Sequence, residues 1–67
     1  MTLPEITESL RVERHRKRLM QKEVAYAVDT TQAAISMWEL RLCDPTAANL
    51  VAWASALGFD IKLEPRK

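Results

Sequence analysis

Cysteine, histidine and glycine are scarce in this sequence, which contains one of each. The single cysteine, Cys43, has no partner for an internal disulfide. Cys43 and His15 together also fall short of a structural zinc site, which usually takes about four ligands. The composition therefore excludes a disulfide framework and a zinc-organised fold, and it fits a chain that stays in the reducing cytoplasm.

Long apolar runs are also missing. No segment approaches the roughly 20 apolar residues that a membrane-spanning helix needs, and the first residues do not combine a basic start with an apolar stretch. We therefore expect no membrane anchor and no secretion signal. The 67 residues suffice for one small domain, expected over 1–67. An enzyme pocket is not expected in so small a core, and no residue pattern indicates a cofactor or a metal.

The net charge of +1 is small, but its distribution is uneven. Between Arg11 and Lys22, six basic side chains and one acidic one give a local charge of +5 without His15, so the remainder carries about −4. Such a run is either a positive surface for a polyanion or an ordinary solvated helix face. The pattern of apolar and turn residues along the chain is needed to decide between these two interpretations.

Apolar spacing and turn residues predict four helices. Helix 2 and helix 3 are short and amphipathic, each opens with a glutamine, and a tight polar turn at Asp29 joins them. That arrangement is typical of a helix-turn-helix. The expected bounds are about Pro4 to Lys17, Gln21 to Val28, Gln32 to about Leu40, and a fourth helix between the cap Thr46 and Gly58.

Helix 3 is expected to present one face to the core and the other to solvent. Ile35, Trp38 and Leu42 fall on the inward face. Gln32, Ala33, Ser36, Met37 and Leu40 remain outside.

After Gly58 the apolar period changes to strand alternation, with Phe59, Ile61 and Leu63 on one side and Pro65 as the stop. A single strand in a helical domain needs a second strand, and the same segment of another copy is the simplest source. The pattern predicts a homodimer through these three residues, with apolar support from Trp53. The alternative is a final apolar segment folded over the core of its own monomer.

Taken together, these segments resemble the Cro and phage-repressor helix-turn-helix family. The resemblance implies an all-α, lambda-repressor-like domain of four helices, here with a short C-terminal β-strand for dimerisation, and double-stranded DNA as the partner. The matching residues are Leu10-Arg11-x-x-Arg14, Leu19-x-Gln21-x-Glu23-Val24-Ala25, Thr31-Gln32-x-x-Ile35-Ser36-x-Trp38-Glu39, Pro45, Leu50 and Ala56-Leu57-Gly58.

The resemblance also implies roles for individual residues. Arg14 and Glu39 occupy positions that pair across helices 1 and 3. Base reading in the major groove is assigned to Gln32, Ala33, Ser36 and Met37, whose amide, hydroxyl and apolar groups suit base edges and thymine methyls. Gln21, which begins helix 2, is assigned to phosphate or a base edge. Beyond the resemblance, we expect contact with phosphate, or with DNA from helix 2, by Lys22, Arg11, Arg18, Thr31 and Arg41 as well.

The sequence departs from the family where glycine is common, with Arg18, Asp29 and Arg41 in those places. A left-handed backbone at a residue other than glycine costs on the order of 1 kcal/mol. Either these helix ends are built differently or the fold tolerates the strain. We hypothesise that Arg18 and Arg41 add phosphate contacts in exchange for the lost glycine geometry.

The sequence thus predicts a sequence-specific DNA-binding regulator, a dimeric repressor on a palindromic operator. The alternative is an antitoxin that binds a toxin protein and regulates its own operon. An architectural binder without sequence preference fits poorly, because helix 3 carries so few basic residues.

Overall fold

The computed structural model describes residues 1–62 and contains four α-helices. Helix α1 spans Leu3–Arg16, α2 spans Gln21–Val28, α3 spans Gln32–Glu39 and α4 spans Ala47–Ala56. Helix α2 packs against α3 and α4, and α1 packs against α3. No helix in residues 1–62 is long and apolar enough to cross a bilayer. The predicted all-α fold of four helices is confirmed.

Short polar side chains begin three of the helices. The hydroxyls of Thr2, Thr31 and Thr46 each accept a hydrogen bond from the backbone N–H three residues further on, at 3.3, 3.1 and 3.1 Å. Helix α2 begins after Met20, whose side chain caps no N–H. There the carboxylate of Glu23 accepts from the backbone N–H of Met20 at 2.8 Å, which is the reciprocal half of a capping box.

One apolar core joins all four helices. Trp38 of α3 and Trp53 of α4 lie at its centre, with ring centroids 5.5 Å apart and ring planes tilted by 40°. Trp53 is completely buried within the monomer, so it exposes no surface of its own to a partner subunit. The other buried apolar side chains are Leu10, Val24, Ala25, Val28, Ile35, Ala54 and Leu57.

Within residues 1–62, three residues other than glycine have left-handed backbones. The φ angles are +56° at Arg18, +63° at Asp29 and +62° at Arg41, and each residue follows the end of a helix. These are the three positions at which the sequence lacks the expected glycines. The chain therefore keeps the turn geometry and accepts strain that glycine would relieve.

The left-handed turn at Arg41 also overturns the prediction that Leu42 points into the core. The backbone N–H of Leu42 donates to the carbonyl of Met37 at 2.9 Å, which closes the helix end. The helical period stops there, and Leu42 is 72 % exposed.

The segment after α4 differs from the prediction as well. Residues 59–62 form no strand, because a lone extended segment has no neighbouring strand to bond within the described part of this chain. The Phe59 N–H donates to the Ala54 carbonyl at 2.9 Å. Phe59 and Ile61 line a groove of about 440 Å³ beside Ile6 of α1. Leu63 lies outside the described residues.

The strain at the helix ends predicts a gain in stability from glycine. We expect Arg41→Gly to raise the free energy of unfolding by about 1 kcal/mol, because glycine adopts φ near +60° without a steric penalty. Urea denaturation measures this change. The matched control is Ala27→Gly on the exposed face of α2, which should lower stability by about 1 kcal/mol. A loss of stability at position 41 would show that Arg41 is not strained.

Candidate nucleic-acid interface

A buried ion pair connects α1 to α3. The Nε of Arg14 donates to Oε2 of Glu39 at 2.6 Å, and its Nη2 donates to Oε1 at 2.9 Å. Both side chains are at most one-tenth exposed. The two parallel bonds fix the carboxylate in the plane of the guanidinium. The predicted pair is therefore present, and it sets how the end of α3 lies against α1.

Further hydrogen bonds extend this pair to the start of α2. Arg14 Nη1 donates to the Leu19 carbonyl at 2.8 Å, and the Gln21 side-chain amide donates to Glu39 Oε1 at 3.1 Å. His15 Nε2 lies 3.1 Å from Arg14 Nη2. We call these five residues the Arg14 network. It joins α1, the turn before α2, α2 and α3. Most polar groups of its side chains have a hydrogen-bond partner, as buried charges require.

Removing one member of such a pair is costly. A buried charge left without its partner typically destabilises a protein by about 3–5 kcal/mol. The pair therefore holds α3 in one orientation, whatever its net contribution to the free energy of unfolding.

The side of α3 opposite the core forms the candidate reading face, which we define as Gln32, Ala33, Ser36 and Met37. Gln32 and Ala33 are exposed, Ser36 is half-buried and Met37 is 40 % exposed. Ile35, Trp38 and Glu39 of the same helix are buried. Helix α3 thus has one buried and one exposed face, as the sequence predicts, and the reading face is accessible to a large ligand.

Gln21 and Thr31 lie at the first turns of α2 and α3. One N–H of the Gln21 amide is engaged with Glu39, which leaves its carbonyl oxygen and second N–H for another partner. The Thr31 hydroxyl accepts from the Ala34 N–H, and its own proton remains available to a phosphate oxygen. Both residues are therefore held in place beside the reading face.

Most of the basic run in α1 is neutralised within the helix. Arg11 donates to both carboxylate oxygens of Glu8 at 2.9 and 2.6 Å, and Arg16 donates to both oxygens of Glu13 at 2.8 and 2.6 Å. These hydrogen bonds lower the pKa of Glu8 and of Glu13, so both carboxylates keep their charge to lower pH than a free glutamate does. The local charge of +5 therefore overstates the positive surface.

Lys17 also makes contacts within the domain that stabilise the fold. Its Nζ donates to the Leu57 carbonyl at 2.9 Å and lies 3.7 Å from Glu13. This contact places a cation at the C-terminal end of α4, where it is favourable.

Three of the predicted phosphate-binding cations have no ion-pair partner within residues 1–62. Arg18 follows α1, Lys22 is the second residue of α2, and Arg41 follows α3. Arg41 lies near enough to Glu8 to help lower its pKa. The sequence reasoning missed the neutralising role of Glu8 and Glu13, although the spacing of Glu and Arg three residues apart was a signal for it.

No group of three or more His, Cys, Asp or Glu side chains in residues 1–62 could hold a metal ion. Cys43 is exposed and unpaired in this part of the chain.

The Arg14 network predicts strong coupling between its two charged members. Glu39→Ala should lower the free energy of unfolding by about 3 kcal/mol or more, because Arg14 is left buried without its anion. The double variant Arg14→Ala, Glu39→Ala should be more stable than the sum of the single losses implies. Urea denaturation of all four proteins measures the coupling.

The exposed pair Glu8 and Arg11 provides the matched control, since its coupling should be much smaller. If the alanine variants do not fold, Glu39→Gln retains the shape and permits the same cycle with Arg14→Met. Strict additivity of the two buried substitutions would contradict the role given to this pair.

Comparison with known proteins agrees with this geometry. No family model and no curated protein matches the chain. Among solved structures, the chain is similar to the P22 c2 repressor protein, which was crystallised in complex with the synthetic operator 9T. The two are 29% identical, the match covers 82% of this chain and 83% of that one, and the TM-score is 0.76. The resemblance to phage repressors is therefore confirmed, and the chain has the lambda-repressor-like helix-turn-helix fold.

Proposed function

We propose that the protein is a sequence-specific regulator of transcription that binds double-stranded DNA. In this proposal a dimer occupies a palindromic operator, inserts α3 of each subunit into the major groove, and represses transcription by occupying the site. The observation that carries the proposal is the exposed reading face on a helix held by a buried ion pair. The similarity to a repressor crystallised with operator DNA supports it.

The reading face has the chemistry that base recognition needs. The Gln32 amide can both donate to and accept from a base edge, and the Ser36 hydroxyl can do either. Ala33 and Met37 supply apolar contacts to the same groove. Because the Arg14 network fixes the helix, these side chains can meet the bases without prior rearrangement of the backbone.

Around that face, the unpaired cations supply the contacts to phosphate. Arg18, Lys22 and Arg41 form no ion pair within residues 1–62, so their charges can replace the counterions of DNA. The backbone N–H groups at the start of α2 and the hydroxyl of Thr31 add donors. Arg11 contributes less, because Glu8 already holds its guanidinium.

The dimer is supported by the apolar segment after α4. Phe59 is 42 % exposed and Ile61 is 39 % exposed, so these side chains leave apolar surface that a second copy could cover. Pairing of residues 59–63 from two subunits would give each extended segment the partner that it lacks alone. It would also set two reading faces about 34 Å apart, one turn of DNA.

Base reading predicts an affinity change that depends on the DNA sequence. Gln32→Ala should weaken binding to the preferred operator by about 1–3 kcal/mol and should affect random DNA much less, because alanine cannot bond the base edge while the phosphate clamp is intact. The operator is first selected from a pool of random duplexes, and both affinities are then measured at one salt concentration. Equal weakening on the two DNAs would exclude Gln32 as a reader.

Phosphate binding predicts a change in salt dependence. Arg18→Ala and Arg41→Ala should each weaken binding to all sequences alike and reduce the slope of log affinity against log salt by about 0.9 for each phosphate that is no longer neutralised. Arg11→Ala is the control, for which we expect a smaller change. If Arg11→Ala changes the slope and the other two variants do not, our assignment of the phosphate-binding residues is wrong.

Dimerisation through the final segment predicts a charge-sensitive interface. Ile61→Asp should shift sedimentation toward the monomer and weaken operator binding, since one half-site alone binds weakly. Val51→Asp, on the half-exposed outer side of α4, should remain dimeric. The reverse outcome would assign the interface to α4 rather than to the final segment.

A further inference from the structure

The reading face lacks the charged groups that most often read guanine and cytosine. Residues 32–39 include no Lys or Arg, so the usual bidentate contact to guanine O6 and N7 is missing. The single acid of α3, Glu39, is buried and occupied by Arg14 and Gln21, so it cannot accept from the cytosine amino group. Reading of guanine by a cation and of cytosine by a carboxylate is therefore absent from α3.

The modes that read adenine and thymine are both present and arranged in rows. Gln32 and Ser36 are four residues apart and form a polar row along the helix. Ala33 and Met37 are four residues apart and form a parallel apolar row, which the 66 % exposed Leu40 continues. Glutamine pairs bidentately with adenine N6 and N7, and apolar side chains contact the thymine methyl. Gln32 and the apolar row therefore favour A·T base pairs, whereas the Ser36 hydroxyl can bond either kind of pair.

The basic side chains that could read guanine lie off this face. Arg18 and Arg41 are in turns outside α3, and Lys22 is on α2. On elements other than α3, these cations suit contacts with phosphates, which carry no sequence information.

We propose that α3 reads a block of A·T base pairs in each half-site, with Gln32 on an adenine and with Ala33 and Met37 against the methyl groups of neighbouring thymines. This inference rests on the proposed function and specifies the DNA that the same site prefers. Methyl contacts make uracil a poor substitute for thymine, although both bases pair with adenine.

The test uses the full chain and duplexes selected from a random pool. We expect A·T pairs at the centre of each selected half-site. Replacing one contacted thymine by uracil removes only the methyl group, and it should weaken binding about fourfold, the effect of one buried CH₂. Thymines outside the contacted block should tolerate uracil without any change in affinity.

Variants then assign the methyl contact to a side chain. In Met37→Ala, uracil at the thymine read by Met37 should weaken binding less than about twofold, because the methyl no longer has its partner. Val51→Ala, a truncation of an apolar side chain on α4, should retain the roughly fourfold penalty. Replacing the contacted adenine by 7-deazaadenine should weaken the wild type about fivefold or more and should leave Gln32→Ala nearly unchanged.

The outcomes separate this inference from the proposed function. Failure of the pool to yield any preferred duplex would overturn the proposed function itself. Selection of a half-site with G·C pairs at its centre would overturn only the inference. A uracil penalty that persists in Met37→Ala would overturn the assignment of the methyl to that residue.

Discussion

The buried pair between Arg14 and Glu39 is the interaction on which the rest of the structure depends. A helix of eight residues such as α3 has little stability of its own, so its orientation has to come from contacts with the remainder of the domain. Trp38 supplies the apolar part of that support and Glu39 the polar part. The same carboxylate holds the Gln21 amide, so one acidic residue aligns the start of α2 with the end of α3.

Charge in this small domain is used for two purposes. Within α1, glutamates three residues before Arg11 and Arg16 neutralise these arginines and stabilise the helix. Arg18 and Arg41 instead occupy left-handed turns where glycine would be less strained. Arginine at a strained position is a poor choice for stability alone, which agrees with the phosphate-binding role that we propose for both residues.

The features that the sequence predicted correctly are those that depend on a few neighbouring residues. The cap at Thr46 follows from the chemistry of a single residue, and so does the tight turn at Asp29. The predicted C-terminal strand is absent from residues 59–62. A strand forms only beside another strand, and residues 1–62 provide none. The exposure of Leu42 depends on the backbone of Arg41, which the apolar period does not reveal. The bond from Gln21 to Glu39 joins side chains 18 residues apart in the sequence, and no spacing rule predicts it.

The central claim is that the Arg14 network presents one face of α3 to DNA. Backbone amide shifts of the ¹⁵N-labelled protein, recorded while the preferred duplex is added, test it most directly. We expect the largest changes in α3 and at the first turn of α2, with the outer side of α4 unchanged. Changes confined to the groove beside Ile6, Phe59 and Ile61, with α3 unaffected, would contradict the account.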